Sequence, residues 1–261
     1  MAFGLIIIGD EILSGKRVDK HFSKVIELLN ARGLQLGWTE IIGDDPRRIT
    51  ATLQRTLASD DIVFCCGGIG ATPDDHTRQC AAAALGVELA LHPEAKRLIQ
   101  QRITQMLQEA GKPVDLNTPD HLHRLKMGEF PQGADIIPNS FNSIPGFAMS
   151  NHYFVPGFPV MAEPMITWVL ETHCAHLFHQ HAHAEQSLLV FEIAESMLTP
   201  LMERLEAEFP LIKVFSLPSV GNHQIRRHIE LGVKGQPEQV RLGFAVLEQE
   251  LDRMQAEYVP V

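Results

Sequence analysis

Short apolar runs alternate with amphipathic stretches through the first half of the chain. Leu5–Ile8 and Ile62–Cys66 are continuous apolar runs, which are typical of strands buried on both faces of a parallel sheet. Leu36–Ile42 has the pattern of a third strand. Between these runs, apolar residues recur three and four positions apart, as on one face of a helix. The order β-α-β-α-β-α predicts a doubly wound, mostly parallel three-layer sheet with right-handed crossovers.

Capping residues and stop signals predict where the helices begin and end. Asp19 is expected to cap a helix that Gly33 ends, and Asp45 to cap a helix with Pro46 at its first position. The apolar face of the first of these helices is predicted to be Phe22, Val25, Ile26 and Leu29. Further helices are predicted from Pro93 to Gly111 and from Met161 to Leu170, and no regular structure is assigned to residues 112–128.

The last third of the chain has its own pattern and predicts a small α+β domain of β-α-β-β-α order. Its strands are expected at Ser187–Ile193, Ile212–Leu217 and from Ile225 to Val233, with helices reaching Phe209 and opening at Pro237. The predicted division is a first domain at 1–172, a histidine-rich linker at 173–184 and a second domain at 185–261. Gly232–Gly235 has the letters of the G-x-x-G loop of RNA-binding KH domains. Here it joins a strand to a helix, so we interpret it as a turn.

The linker contains five histidines, which raise the possibility of a metal site. They are His173, His176, His179, His181 and His183. The first two would share a helical face, as metal ligands often do. Because no cysteine or acidic residue completes a shell of recognised spacing, a polar linker is the favoured interpretation.

The residues most suited to chemistry follow the strand Ile62–Cys66. Gly67, Gly68 and Gly70 allow a tight turn that brings backbone N–H groups close to a ligand. A strand, a glycine loop and a helix N-terminus together form a cradle for phosphate, and the adjacent acids Asp74 and Asp75 suit a divalent cation. The alternative is a tight turn in which one of these acids caps the next helix.

Other polar residues are predicted at the same edge of the sheet. Asp10 and Glu11 follow the first strand, and Asp44 follows the second, so all should lie where parallel sheets bind ligands. Two Pro-Gly steps, Pro145-Gly146 and Pro156-Gly157, are candidates for the same site, although turns alone also explain them.

Composition narrows the classes of function. The chain has 261 residues, a net charge of −10 and only 22 Lys+Arg, which argues against nucleic acid as a partner because such proteins need a cationic surface. No apolar run approaches the ~20 residues of a membrane span, and the N-terminus lacks the basic region of a signal peptide. We therefore expect a cytoplasmic protein with no membrane partner. The four cysteines are expected to be free thiols.

These motifs resemble the molybdopterin-binding (MoaB/MogA-like) superfamily, and within it the amino-terminal part of CinA proteins, without the deamidase domain that often follows there. Gly67–Thr77 matches the family's G-G-x-G-P-T-x-D-D-x-T with Ala71 in place of proline. Gly9–Gly15 matches G-x-E-L-L-x-G, and Gly43–Asp45 matches the end of V-G-D-D. Later blocks depart from the family. Asn142-Ser143-Ile144 stands where the family has G-T-A, and Asp19-Lys20-His21-Phe22 replaces D-T-N-S. Glu163 is displaced by one place from the glutamate of the family's L-P-G-V-P-x-E-M block.

The resemblance implies two chemistries at one type of site. One is metal-dependent hydrolysis of a nucleotide pyrophosphate such as ADP-ribose, which the CinA-like two-domain organisation favours. The other is binding or adenylylation of molybdopterin, and a third alternative is a protein that binds a nucleotide without turning it over. The resemblance also implies a homo-oligomer, either a dimer or a trimer.

The candidate residues follow from these motifs. Asp75 and Asp44 are the predicted catalytic acids, and with Asp10 they are the predicted ligands of Mg²⁺ or a similar divalent cation. The predicted ligand- or phosphate-binding residues are Gly67, Gly68, Gly70, Thr72, Asp74, Thr77, Glu11, Ser14, Gly15, Asn139, Ser143, Gly146, Pro156 and Gly157.

Overall fold

Two units make up the chain, one at Met1–Phe178 and one at His179–Val261. The computed structural model describes residues 1–180, 184–221 and 225–261. In chain order the elements of the first unit are β1 (Phe3–Ile8), α1 (Asp10–Leu13), α2 (His21–Asn30), β2 (Leu36–Ile42), α3 (Pro46–Leu57), β3 (Ile62–Cys66), α4 (Thr77–Leu85), β4 (Leu89–Leu91), α5 (Pro93–Glu109), α6 (Pro119–Leu125), β5 (Glu129–Pro131), β6 (Asp135–Ile137), β7 (Gly146–Met149), β8 (His152–Val155) and α7 (Pro159–His173).

The first unit is built on a six-stranded sheet in the order β2-β1-β3-β8-β7-β6. The pairs β1–β2, β1–β3 and β3–β8 are parallel, whereas β7 pairs antiparallel with both β8 and β6. The predicted doubly wound, mostly parallel sheet is therefore confirmed, with an antiparallel edge that the apolar pattern did not indicate. Strands β4 and β5 form a separate two-stranded antiparallel pair.

Strand β3 is buried along its whole length and divides the core into two layers. Cys65 packs in the layer that contains Ile6 and Phe154, and Cys66 in the layer that contains Leu5. Neighbouring residues of a strand point to opposite faces, so these two thiols cannot pair with each other. All four cysteines are free and buried, as predicted.

Two local predictions for the first unit are wrong. Phe22 is exposed, and His21 takes its place on the buried face of α2. The alternative in which Asp75 caps the next helix does not hold either, because α4 begins at Thr77 and the Asp75 carboxylate bonds back to Thr72. Residues 112–128 contain α6, which Thr118 caps.

The second unit is a four-stranded antiparallel sheet with two helices. Its elements are β9 (Ala184–Phe191), α8 (Glu195–Glu208), β10 (Ile212–Ser219), β11 (His228–Gly235), α9 (Pro237–Arg253) and β12 (Tyr258–Pro260), and the strand order is β10-β11-β9-β12. The predicted small α+β domain is confirmed, with β12 as an addition. Ile225 lies before β11, so the third strand begins later than predicted. Gly235 ends β11 and α9 follows at Pro237, so the G-x-x-G segment joins a strand to a helix.

The predicted linker overlaps the first unit. Helix α7 continues through His173, whose ring packs against Tyr153 and Trp168. His181 and His183 lie outside the described residues. Within the described ranges, no helix is both long and apolar enough to cross a membrane.

Candidate functional site

A cavity of about 590 Å³ lies at the edge of the sheet where β1, β2, β3 and β8 end. Gly9, Asp44, Gly67 and Pro156 each come just after one of these strands, and all four line the cavity. The carboxyl ends of parallel strands share one edge of a sheet. The fold therefore collects residues from separate loops into one site, as the sequence predicts.

The glycine loop after β3 forms one wall of this cavity. Gly67 has φ +112° and donates its N–H to Val155 O at 3.0 Å, and a Cβ at this position would collide with the Ile8 carbonyl. In the next four residues, from Gly68 to Ala71, no backbone N–H donates a hydrogen bond to any part of the chain that the structure describes. Unpaired N–H groups in succession are the donors that an anion requires.

Thr77 holds this loop in place from behind. Its side chain is completely buried, its hydroxyl donates to Gly67 O at 2.9 Å, and its N–H donates to Gly68 O at 3.0 Å. Gly68, at φ +65°, has no room for a Cβ because the Thr77 hydroxyl fills that space. Both donors of Thr77 are used inside the protein, and its contact with a ligand stays a prediction.

Asp75 folds back over the loop. Its Oδ2 accepts the Thr72 N–H at 2.8 Å and the Thr72 hydroxyl at 2.5 Å. The same carboxylate occupies the space where Gly70 lacks a Cβ. Asp75 lines the cavity, and one of its two oxygens accepts the hydrogen bonds from Thr72 that shape the turn.

Asp44 and Asp10 are joined across β1 and β2. The Asp10 N–H donates to Asp44 Oδ2 at 2.8 Å, and the Asp44 N–H donates to Asp10 Oδ1 at 3.2 Å. Burial raises the pKa of Asp44 above its ordinary value. The Asp10 N–H opposes this, and the charges of Asp10, Glu11 and Asp74 raise the pKa further.

The predicted cation ligands Asp10, Asp44 and Asp75 do not form a common group. The charge of Asp74 raises the pKa of Asp44, and the Asp75 carboxylate is turned toward Thr72. Among the residues that the structure describes, no group of three or more His, Cys, Asp and Glu side chains is arranged to hold a metal ion. The divalent cation stays a prediction.

Most of the remaining predicted residues line the cavity, and four do not. Glu11, Thr72, Asp74, Asn139 and Gly157 line it, whereas Asp10 and Thr77, described above, do not. The four that do not are Ser14, Gly15, Ser143 and Gly146. Ser14 and Gly15 end α1, Ser143 is exposed with φ +63°, and Gly146 is buried at the start of β7 against the Phe154 carbonyl.

Arg78 supports the site and was not anticipated. It is 2% exposed, and its guanidinium donates to Gly70 O at 2.6 Å, to Glu129 O at 3.2 Å and to Lys126 O. Burial lowers its pKa, while the charges of Glu129 and Asp75 oppose that shift. Arg78 thus ties the glycine loop to the segment before β5. No periodicity in the sequence marks a residue with this role.

His21 supports the opposite part of the site. Its ring is buried, and Nε2 lies 3.1 Å from Gly157 O, at the turn that packs against Gly67. The carbonyl can only accept, so Nε2 carries the proton. His21 stands in the block that departs from the family's D-T-N-S, and that departure was the one available signal.

Comparison with known proteins identifies the domain. Residues 4–176 match the family described as "Probable molybdopterin binding domain". The chain belongs to this family. The predicted resemblance is thereby confirmed, and the matched range contains the strands that border the cavity except for Phe3, the first residue of β1.

Relatives of this chain include CinA-like proteins. One from Anaeromyxobacter sp. (strain Fw109-5) is 32% identical over 197 residues, which are 74% of this chain and 45% of that protein. Another, from Citrifermentans bemidjiense, is 30% identical over 210 residues, which are 78% of this chain and 47% of that protein. The chain spans about half the length of these curated relatives.

Solved structures are similar to this chain. The crystal structure of CinA from Thermoplasma acidophilum, a protein of unknown function, has a TM-score of 0.54 and 26% identity, covering 66% of this chain and 98% of that one. The molybdopterin biosynthesis enzyme MoaB from Thermus thermophilus has a TM-score of 0.40 and 17% identity, covering 67% of this chain and 94% of that one.

Proposed function

We propose that the cavity of the first unit binds a phosphorylated pterin of the molybdopterin type. The observation that carries this proposal is the run of unpaired N–H groups from Gly68 to Ala71 on the wall of the cavity. Backbone N–H groups at the end of a buried strand bind phosphate without a cationic side chain. The family match, to a probable molybdopterin-binding domain, supports the same class of ligand.

The charges around the cavity favour a ligand that carries both acceptors and donors. Arg17 is the one lysine or arginine among the described residues that line it, against the carboxylates of Glu11, Asp44, Asp74 and Asp75. Carboxylates only accept hydrogen bonds, so they match the N–H and amino groups of a pterin ring and would repel a second phosphate. The phosphate itself would bind to the N–H groups of the glycine loop.

An apolar wall completes the cavity. Met127, Ile144, Phe158 and Met161 line it, and such side chains provide the flat, polarisable surface on which a heteroaromatic ring packs. Pockets for small molecules usually combine a mostly apolar lining with a few placed polar groups.

Calorimetric titration with molybdopterin tests the proposal. Wild-type protein is expected to bind, and Gly68→Ala is expected to weaken binding at least about tenfold because the new methyl group displaces the loop. Gly86→Ala is the matched control. Gly86 has nearly the same φ, +68° against +65°, but open space around it, and it ends α4 away from the cavity. Wild-type protein that does not bind molybdopterin would overturn the proposal.

The raised pKa of Asp44 favours a second candidate function, the hydrolysis of a nucleotide pyrophosphate. A carboxylate whose pKa is raised is a better base, and Asp44 lines the cavity. It would take a proton from water that attacks one phosphorus of ADP-ribose, yielding AMP and ribose 5-phosphate. Chromatography of ADP-ribose incubated with the protein and a series of divalent cations tests this reaction.

Binding of ADP-ribose without products would leave the protein as a nucleotide-binding module. Transfer of AMP from ATP to molybdopterin would establish adenylylation.

Assembly into a dimer or trimer is a further proposal from the family resemblance. Sedimentation equilibrium of the full chain distinguishes these states from a monomer.

A further inference from the structure

We infer that Asn142 recognises the ring of the bound ligand by donating a hydrogen bond from its side-chain amide to an acceptor atom of that ring. This inference rests on the proposed function and adds to it a residue that determines specificity. Asn142 lines the cavity beside Ile144 and Met161.

The orientation of the Asn142 amide is fixed by the backbone. The N–H of Ile144 donates to Asn142 Oδ1 at 2.9 Å. A backbone N–H can only donate, so the atom that it contacts must be the oxygen. A second donor, Asn139 Nδ2, reaches the same oxygen at 2.9 Å. The amide nitrogen of Asn142 therefore points the other way.

Asn139 is fixed in the same manner. It is 5% exposed, its Oδ1 accepts the Phe141 N–H at 3.0 Å, and its Nδ2 donates to Ile144 O at 2.9 Å. The two asparagines thus form one network in which every oxygen and the Asn139 nitrogen have strong partners. The network holds Asn142 rigidly, so a hydrogen bond from it costs little conformational entropy.

Only the amide nitrogen of Asn142 lacks a strong acceptor. Its one partner in the described part of the chain is the sulfur of Met161 at 3.7 Å, and a thioether is a weak acceptor. An amide donor held against an apolar wall is the kind of polar group that fixes the orientation of a ligand in a pocket. A carbonyl oxygen or an unprotonated ring nitrogen, both present in pterins and in adenine, satisfies it.

Asn142→Asp is the variant that separates this role from the structural one. The new carboxylate still accepts from Ile144 and Asn139, so the loop keeps its shape, but the donor is replaced by an acceptor. We expect molybdopterin affinity to fall about tenfold, as for a polar group left without its partner, with an unchanged melting temperature. Asn117→Asp adds the same charge at an exposed position outside the cavity and controls for net charge.

Salt dependence distinguishes a lost donor from charge repulsion. Repulsion between a carboxylate and the ligand phosphate weakens between about 0.05 M and about 0.5 M KCl, whereas a missing hydrogen bond does not. A loss of affinity that persists at high salt supports the inference. A loss that disappears at high salt, or equal affinities for the wild type and Asn142→Asp, would overturn it.

The comparison needs a ligand that contains a ring, and the ligand used is the one that the wild-type protein binds. If ADP-ribose binds and molybdopterin does not, the pterin proposal fails, while the same variants measured with ADP-ribose still test Asn142. Wild-type protein that binds neither compound refutes both the proposed site and the role of Asn142.

Discussion

Asp10 and Asp44 hold each other through their backbones, with Asp10 N–H on Asp44 Oδ2 at 2.8 Å and Asp44 N–H on Asp10 Oδ1 at 3.2 Å. These reciprocal bonds place two carboxylates side by side at the ends of β1 and β2. The pairing positions Asp44 in the cavity. The Asp10 N–H lowers the pKa of Asp44, but burial and the charges of the neighbouring acids outweigh it, so the charge of Asp44 is unfavourable.

Asp44→Asn is expected to stabilise the first unit at neutral pH while abolishing any hydrolysis that depends on Asp44. A carboxyl whose pKa is raised by folding stabilises the fold when protonated, and that contribution is lost as the pH rises through the raised pKa. The asparagine oxygen can still accept from Asp10. We therefore expect a small rise in melting temperature at pH 7 that shrinks toward about pH 4, and a fall in turnover of about 10²–10³ if Asp44 is the base.

Tryptophan fluorescence measures this effect on the first unit alone. Both tryptophans, Trp38 and Trp168, lie within Met1–Phe178. A lower melting temperature for Asp44→Asn at pH 7 would show that the bond from Asp10 depends on the charge of Asp44 and would contradict the expected sign.

Two Asp75 variants separate its role in the turn from a role in chemistry. Asp75→Asn keeps an oxygen for the Thr72 N–H and hydroxyl, so stability should change by less than about 1 kcal/mol. Asp75→Ala removes both bonds and should cost about 1–2 kcal/mol. If the charge acts on a substrate, Asp75→Asn should lower turnover about 10²–10³. Urea unfolding and ADP-ribose hydrolysis measure the two effects. Full turnover by Asp75→Asn would leave Asp75 as a residue of the turn only.

His152 is expected to make the first unit sensitive to acid. Its ring is 1% exposed, and burial lowers its pKa from 6.5 to about 4, which the charge of Asp61 partly opposes. Its Nε2 lies 2.9 Å from Thr56 Oγ1, while Nδ1 is buried without a partner in the described part of the chain. The unfolded chain takes up a proton at higher pH than the folded one, so stability is lost as the pH falls from about 6.5 to about 4.

The loss attributable to His152 is at most roughly 3 kcal/mol across that window. His152→Gln should lower stability at pH 7 and flatten its pH dependence, and His173→Gln, at an exposed histidine, serves as the control for the substitution itself. Urea unfolding followed by tryptophan fluorescence at several pH values checks this. An equally steep profile for His152→Gln would assign the acid sensitivity to other groups.

The four thiols should be inert in the folded protein and all present after unfolding. Burial raises the pKa of Cys65, Cys66 and Cys80, and that of Cys174 to about 11, so little reactive thiolate forms near neutral pH. Titration with a thiol reagent, without reductant, should detect none of them in native protein and four in urea. Fewer than four in urea would reveal a disulfide or an oxidised cysteine.

Local sequence was sufficient to predict the parallel sheet, the helix starts at Pro46 and Pro93, and the position of the glycine loop. Each of these depends on a short stretch of chain, such as an apolar run that must be buried or a proline that suits the first turn of a helix. Gly67 and Gly68 belong with them, because their positive φ angles admit few other residues.

Tertiary structure alone decided which polar groups meet. His21 and Gly157 are 136 positions apart, and Arg78 reaches Glu129 across 51, so no local pattern relates them. Thr77 was predicted as a ligand contact and Asp75 as a catalytic acid and cation ligand. In the structure Thr77 is fully buried behind the loop, and the Asp75 carboxylate is bonded to Thr72. A side chain binds either its own loop or a ligand, and that choice depends on the space and the partners that packing leaves around it.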